Sequence, residues 1–348
     1  MTVCEAVLLH RHGAIDDPGV LERGEVDVPD PGPGEVRVRV RAVALNHLDL
    51  WVRRGLPNLR LKYPHRLGSD VVGEVESVGA GVSHVAVGQR VVVAPGVSCG
   101  VCERCLAGED NLCPRYRILG ENTDGGYGEL LNVPAANALP YPGEMDFTRA
   151  AAVPLTYLTA WQMVVLRARV RPGELVLVQG AGSGVGVAAT QIARLFGARV
   201  WATAGSAEKC QRAVDNGAER AFNYREQDLV AEVKRLTDRR GVDVVIEHVG
   251  GETFTKSVLA VGRGGRVVTC GATSGFTPEL DLRQVFFRNV QVLGSTMGPK
   301  SALYDVLRHV ERGALNPVVD RVLPLSEARE AHRVLEAREA FGKVVLSV

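Results

Sequence analysis

The chain is expected to be an α/β protein of two domains, a curled β-rich domain and a doubly wound parallel-sheet domain. Three observations predict this. Residues 1 to about 95 read as short strands between Gly-rich turns, with no long helix among them. From about residue 150 strand and helix alternate at a βαβ interval. Within the second region, Gln179-Gly180-Ala181-Gly182-Ser183-Gly184-Val185-Gly186 joins an apolar strand to a helix.

In order, Asp30-Pro31-Gly32-Pro33-Gly34 is a turn, and Val36 to Val43 alternates apolar and charged residues as a half-buried strand does. Val71 to Gly79 and Gln89 to Val93 read as further strands. Leu175 to Val178 is a buried-type strand, followed by the Gly-rich turn and an amphipathic helix through Leu195. Ala198 to Thr203 is a strand, Ser206 to Asn216 a helix, and Val242 to Glu247, Gly265 to Thr269 and Val290 to Ser295 are later strands. A helix over Ala302 to Arg312, a strand over Val318 to Leu323, a helix over Ser326 to Glu336 and a closing strand over Lys343 to Leu346 form a tail expected to pack on the first domain. The expected division is therefore 1–150 with 300–348, and 151–299.

Composition narrows the function. A chain of 348 residues, 46% hydrophobic and 23% charged, buries a real core. With 41 basic and 40 acidic residues its net charge is +1, which disfavours nucleic acid and anionic membrane as partners. No apolar run reaches membrane-spanning length, and Met1-Thr2-Val3-Cys4-Glu5 lacks the basic start of a secretory signal, so a cytoplasmic protein is expected. Four of the 7 Cys fall close together, which in a reducing compartment suggests metal rather than disulfides.

The Gly-rich turn suits a dinucleotide. Small residues let backbone approach a pyrophosphate, and a helix N-terminus offers unpaired N–H groups and a positive dipole end. The string is not a strict G-x-G-x-x-G, since Ala181 and Ser183 stand at the first two glycine positions; its weight comes from its strand-turn-helix setting. An NAD site usually carries an acid at the end of the second strand. Here Thr203-Ala204-Gly205-Ser206 has none, while Lys209 and Tyr224-Arg225 follow, so NADPH is expected, with NADH possible. The plainer reading of Lys209 and Arg225 is as solvated surface cations.

Cys99, Cys102, Cys105 and Cys113 form a C-x2-C-x2-C-x7-C set suited to tetrahedral zinc. Four protein ligands leave no open position, so one structural Zn2+ per subunit is expected. An iron–sulfur cluster is the alternative by ligand type.

Together these motifs resemble the medium-chain dehydrogenase/reductase superfamily, over essentially the whole chain. The resemblance implies a GroES-like β-barrel domain carrying the active site and a Rossmann domain binding the cofactor. Gly68-Ser69-Asp70-Val71-Val72-Gly73-Glu74-Val75-Glu76-Ser77-Val78-Gly79 is similar to that family's G-H-E…G…V…G segment, and the four Cys to the structural zinc lobe of its alcohol dehydrogenases. Those enzymes bind a catalytic zinc at three further positions. Here the first holds Asn46, the second Ser69, and the third falls in Val153-Pro154-Leu155-Thr156, with no Cys. Loss of that Lewis acid makes alcohol oxidation hard to support. The resemblance moves to quinone oxidoreductases and enoyl or enone reductases, in which hydride attacks the β-carbon of a conjugated C=C.

By resemblance, Asn46, Asp49 and Trp51 line the interdomain cleft, Thr156 lies by the nicotinamide, Tyr127 near the mouth, and Met297 after the last Rossmann strand. Val249 and Gly271-Ala272-Thr273 end strands at the carboxyl edge where the nicotinamide half belongs. Each has a plainer reading: Trp51 and Met297 as core, Tyr127 as ordering a turn, Asp49 as a helix cap. The proton donor stays open among Tyr63, His65, Tyr127 and water. Arg53, Arg54, Arg60, Lys62 and Arg66 offer a phosphate path for a carrier-bound thioester, or a solvated face.

Two other functions stay open: an alcohol dehydrogenase with a metal rearranged onto His47 and Asp49, and a non-enzymatic NADPH-binding protein. The expected partner is a small-molecule substrate. A homodimer or homotetramer is expected, with Val290 to Ser295 pairing edge to edge.

Overall fold

The computed structural model describes all 348 residues, in two compact units. The first comprises Met1–Leu155, Pro299–Gly313 and Pro317–Val348; the second comprises Thr156–Gly298 with Ala314–Asn316.

The spine of the first unit is the strand Glu35–Ala44. The strand Asp70–Val78 runs antiparallel along almost its whole length. Leu130–Pro134 pairs with its first half, from Glu35 to Arg39, and Lys343–Ser347 with its end, from Ala42 to Ala44. Arg90–Val93, Ala138–Pro140 and Val319–Pro324 complete a seven-stranded sheet. The predicted alternation holds at Val38, Arg39, Val40 and Arg41, but Arg37 is buried. Its two terminal nitrogens donate to the carbonyls of Val28 and Pro29 and to Asp30 and Thr2, while its Nε is left buried without a partner. Ala42 to Ala44 are buried without alternating, as in a strand covered on both faces. The core gathers Val36, Val38, Val43, Val71, Leu131 and Val344. The hairpin Thr2–Leu8 with Glu22–Val28 is not closed by a tight two-residue turn, because 13 residues, including Asp17-Pro18-Gly19, join its strands.

The second unit is a six-stranded parallel sheet. Its order is Arg220–Asn223, Arg199–Ala204, Leu175–Val178, Val242–Glu247, Val261–Thr269, Gln291–Gly294. In sequence order this is 3-2-1-4-5-6, the doubly wound arrangement whose ligand crevice opens between strands 1 and 4. All four residues of Leu175–Val178 are buried, as a central parallel strand requires. The strand Val261–Thr269 starts four residues earlier than its apolar run indicates. Val242 pairs with Val261 before the register shifts, and the Gly-rich stretch between is carried as an irregularity. The helix Pro154–Trp161, with Thr156 in its first turn, was not marked by any sequence pattern. No helix is long and apolar enough to cross a membrane.

At Gly73 the neighbouring backbone comes so close that an added Cβ would lie 2.1 Å from the Arg39 carbonyl oxygen. Backbone cannot swing aside as a side chain does. Gly73→Ala is expected to destabilise the first unit by about 1–3 kcal/mol, read as a lower urea midpoint of unfolding than wild type.

Candidate active site

The dinucleotide turn is built from local constraints. Gly180 has φ +57°, the left-handed region glycine favours. Its N–H donates to Thr203 Oγ1 (3.0 Å), and the Ala181 N–H donates to the Thr203 carbonyl (2.8 Å). Thr203 Oγ1 in turn donates to Gln179 Oε1 at 2.8 Å. Ser183 caps the helix Gly184–Leu195, its Oγ accepting the Gly186 N–H at 2.9 Å. Gly184 and Val185 are then the first two helical positions, whose N–H groups have no intrahelical acceptor. Two such N–H groups at the positive end of a helix are suited to an anion. Gly186 is needed for close packing: a Cβ there would lie 2.4 Å from the Gly180 carbonyl oxygen.

The second strand, Arg199–Ala204, leads into Gly205 and Ser206. Ser206 Oγ accepts the Lys209 N–H at 3.2 Å, capping the next helix. A Cβ on Gly205 would meet the Tyr224 hydroxyl at 2.6 Å and Arg225 Nε at 3.5 Å. Tyr224 and Arg225 therefore lie against this glycine, Ser206 and the Lys209 N–H form the cap that follows it, and no acid stands at the strand end. Val249 is half-buried just beyond Val242–Glu247, and Gly271, Ala272 and Thr273 are half-buried just beyond Val261–Thr269, all at the carboxyl edge of the sheet. Met297 is buried in a left-handed conformation (φ +48°).

In the first unit Asn46 sits in a buried polar knot that the sequence reading did not identify. Its Oδ1 accepts from Lys343 Nζ at 2.6 Å, and its Nδ2 donates to Asp70 Oδ2 at 2.9 Å. Lys343 Nζ also donates to Asp70 Oδ2 at 2.8 Å, and the Leu155 N–H donates to Asp70 Oδ1 at 2.6 Å. Ser69 donates to the Leu119 carbonyl at 2.7 Å. Lys343 had a sequence signal, a lone cation opening the apolar run Val344-Val345-Leu346. Asp70 had a similar one, heading a buried strand.

Asp49 takes its plainer reading. One oxygen accepts the Asn46 N–H (2.7 Å) and the other the Gly68 N–H (2.9 Å), so it closes the start of the helix His47–Arg54 onto the 68–69 turn. Burial pushes its carboxyl up to about 6, against those two N–H groups and Lys343, which favour the charge. Trp51 is half-buried on that helix, and Thr156 is buried. Tyr127 corrects the expectation of a residue near the mouth. Its side chain is fully buried, its hydroxyl lies 3.0 Å from His332 Nε2, and its ring fills the space a Cβ on Gly68 would need. His65 is buried with Nε2 on the Gly120 carbonyl at 3.1 Å.

The basic run is also corrected. Arg53 is buried against Glu336, which also takes Arg54 at 2.7 Å. Arg66 is buried, donating to the Leu130 carbonyl at 2.7 Å. Three of the five cations are thus engaged within the fold, and only Arg60 and Lys62 are exposed without an ion pair.

Cys99, Cys102, Cys105 and Cys113 bring their four Sγ atoms within 4.8 Å of one another. Cys102 and Cys105 are 3.5 Å apart and Cys99 and Cys105 3.9 Å. Four sulfurs each about 2.3 Å from a central ion would be separated by about 3.8 Å, so this set fits a tetrahedral metal. The Val101 amide and the Arg115 side chain hold the Cys99 thiol well below its ordinary range, at about 5. The lobe is tied down through Asp110, which accepts the Lys300 N–H at 2.8 Å, and Lys300 Nζ donates to Asn137 at 2.8 Å.

Asp49 makes a pH dependence readable. Its folded value of about 6 lies above the ordinary 3.8, so the unfolded chain loses this proton first as pH rises. Its contribution to stability is greatest below about pH 4 and is lost as pH climbs through about 6. Wild type is therefore expected to lose stability relative to Asp49→Asn over that window, measured as the difference in urea midpoints at successive pH values.

Residues 32–143 match the family model for the alcohol dehydrogenase GroES-like domain, and residues 184–312 that for zinc-binding dehydrogenase. A quinone oxidoreductase of Sus scrofa is 32% identical, over 88% of this chain and 86% of its own. A solved structure of an NAD-dependent alcohol dehydrogenase is 54% identical with TM-score 0.95, covering 99% of each chain. A solved crotonyl-CoA carboxylase/reductase, AntE, in complex with NADP superposes with TM-score 0.92 at 26% identity, over 99% of this chain and 95% of that one. With a GroES-like sheet, a 3-2-1-4-5-6 parallel sheet and these relatives in hand, the chain belongs to the medium-chain dehydrogenase/reductase superfamily and is an NAD(P)H-dependent oxidoreductase.

Proposed function

We propose that the protein is an NADPH-dependent reductase of an activated C=C bond, in an enoyl thioester, enone or quinone, working without a catalytic zinc. One observation carries the reading. None of the three positions where zinc-dependent relatives would be expected to hold that ion offers a free metal-binding atom. The Asn46 Oδ1 is taken by Lys343, the Ser69 hydroxyl by the Leu119 carbonyl, and Val153-Pro154-Leu155-Thr156 contains no Cys, His or carboxylate. A metal rearranged onto Asp49 would have to displace the Asn46 and Gly68 N–H groups from a fully buried carboxylate.

Bound NADPH supplies hydride to the β-carbon of the acceptor. The Gly184 and Val185 amides receive the pyrophosphate, and Ser206, Lys209, Tyr224 and Arg225 suit a ribose 2′-phosphate better than a free 2′-OH. Asn46 is the polar group proposed to meet the acceptor carbonyl or the ribose. Lys343 can only donate and Asp70, ionised, can only accept, so its amide has one orientation. One amide hydrogen is then left with only a 3.5 Å approach to the Ala44 carbonyl, and is available for an oxyanion. Proton delivery by Tyr127 or His65 is disfavoured by their burial and partners, which favours Tyr63 or water. The Cys lobe is proposed to hold one structural zinc. Alcohol oxidation is the second reading, favoured by the name of the relative at 54% identity.

The test follows NADPH and NADH oxidation against an enoyl-CoA, a cyclic enone, a quinone and an aldehyde, with products identified by mass and metal counted per chain. Expected are C=C saturation, an untouched aldehyde, preference for NADPH and about one zinc. Aldehyde reduction with about two metal ions would overturn the reading.

A further inference from the structure

The crevice of the parallel sheet is bounded by two loops, one after Leu175–Val178 and one after Val242–Glu247. A side-chain hydrogen bond reaches from one to the other: His248 Nε2 lies 3.2 Å from Ser183 Oγ, and the ring also bonds the Gln179 backbone. His248 is 8% exposed, and no step proposed above uses it. Its position is tightly set. The preceding residue, Glu247, accepts the N–H groups of Val249 and Gly250, each at 2.9 Å, which fixes the turn that holds the ring. On its other side the ring lies against Gly180, where a Cβ would be 3.1 Å from His248 Cε1.

We propose that His248 is a positioning residue for the dinucleotide, holding the Ser183 hydroxyl and with it the Gly184 and Val185 amides that receive the pyrophosphate. This rests on the dinucleotide reading above. Ser183 Oγ has one hydrogen and two lone pairs. It accepts the Gly186 N–H, and its remaining capacity meets the imidazole across the crevice. Either imidazole tautomer completes the bond, since the hydroxyl both donates and accepts. Burial keeps the ring neutral, its pKa lowered to about 4, so it contributes geometry rather than charge. Without the ring, the helix cap loses its partner on the neighbouring strand and Gly180 loses the surface beneath it.

Calorimetric titration of the full-length protein tests this with NADPH, NADH and 2′-AMP, the last carrying adenosine and 2′-phosphate without the pyrophosphate. His248→Ala is expected to weaken NADPH binding by about tenfold, the scale of one lost hydrogen bond in a site, and to leave 2′-AMP unchanged. His248→Gln, which keeps a donor and an acceptor, is expected to recover part of the loss. In a Ser183→Ala background His248→Ala is expected to cost little more, because the two act as one unit. Equal weakening of NADPH and 2′-AMP, unchanged NADPH affinity, or additive losses in the double variant would each overturn the proposal. Should His248→Ala fail to fold, Ser183→Ala carries the same expectation for the two ligands. If the wild-type protein binds neither NADPH nor NADH, the dinucleotide reading itself falls. If it binds and the His248 variants match it, only the inference about His248 falls.

Discussion

A buried ammonium–carboxylate pair, Lys343 with Asp70, organises the first unit. Both groups are removed from water, and such a pair is worth having only when its remaining hydrogen-bonding capacity is met. Here it is met by the Asn46 amide on one side and the Leu155 N–H on the other. The pair thus fastens four separate stretches of chain at one point: the strand from Lys343, the strand from Asp70, the approach to the helix at His47, and the segment before Pro154–Trp161. Breaking one partner of such a pair typically costs about 3–5 kcal/mol, because it strands a charge in low dielectric. The same pair dictates which way the Asn46 amide faces, so architecture and the proposed chemistry share one interaction.

Asp49 and Tyr127 show how burial turns apparent chemistry into structure. Both are residue types that enzymes use for acid–base work. Asp49, however, gives both oxygens to backbone N–H groups, and Tyr127 gives its hydroxyl to His332 beneath a glycine that leaves room for its ring. Groups with all their partners inside the fold serve to hold turns in place. The shifted carboxyl of Asp49 is a consequence of that burial, and no function has to be read into it.

Much of the second unit was legible in the sequence. Its strands are short apolar runs, and the residues that shape the cofactor turn are close in sequence, so period and turn chemistry suffice to locate them. Leu175–Val178 and Val242–Glu247 coincide with the runs read from the sequence. The Cys lobe was legible for the same reason, its four thiols falling within one loop. What escaped were pairings across long separations: Lys343 with Asp70, Tyr127 with His332, Ser183 with His248. No local pattern announces which buried cation meets which carboxylate. Arg53 and Arg66 looked like surface charge because their partners, Glu336 and the Leu130 carbonyl, lie far along the chain.

The place of the strand Lys343–Ser347 bears on how the protein is made. This strand lines the end of the spine at Ala42 to Ala44, yet it is translated only after the whole second unit. A nascent chain on the ribosome therefore carries Asp70 and Asn46 without their ammonium while the parallel sheet is already complete enough to fold. The second unit is nearly contiguous and can mature first; the first waits, its central strand unpaired on one side at Ala42 to Ala44. Until that strand emerges, the unpaired stretch is what a chaperone would have to shield.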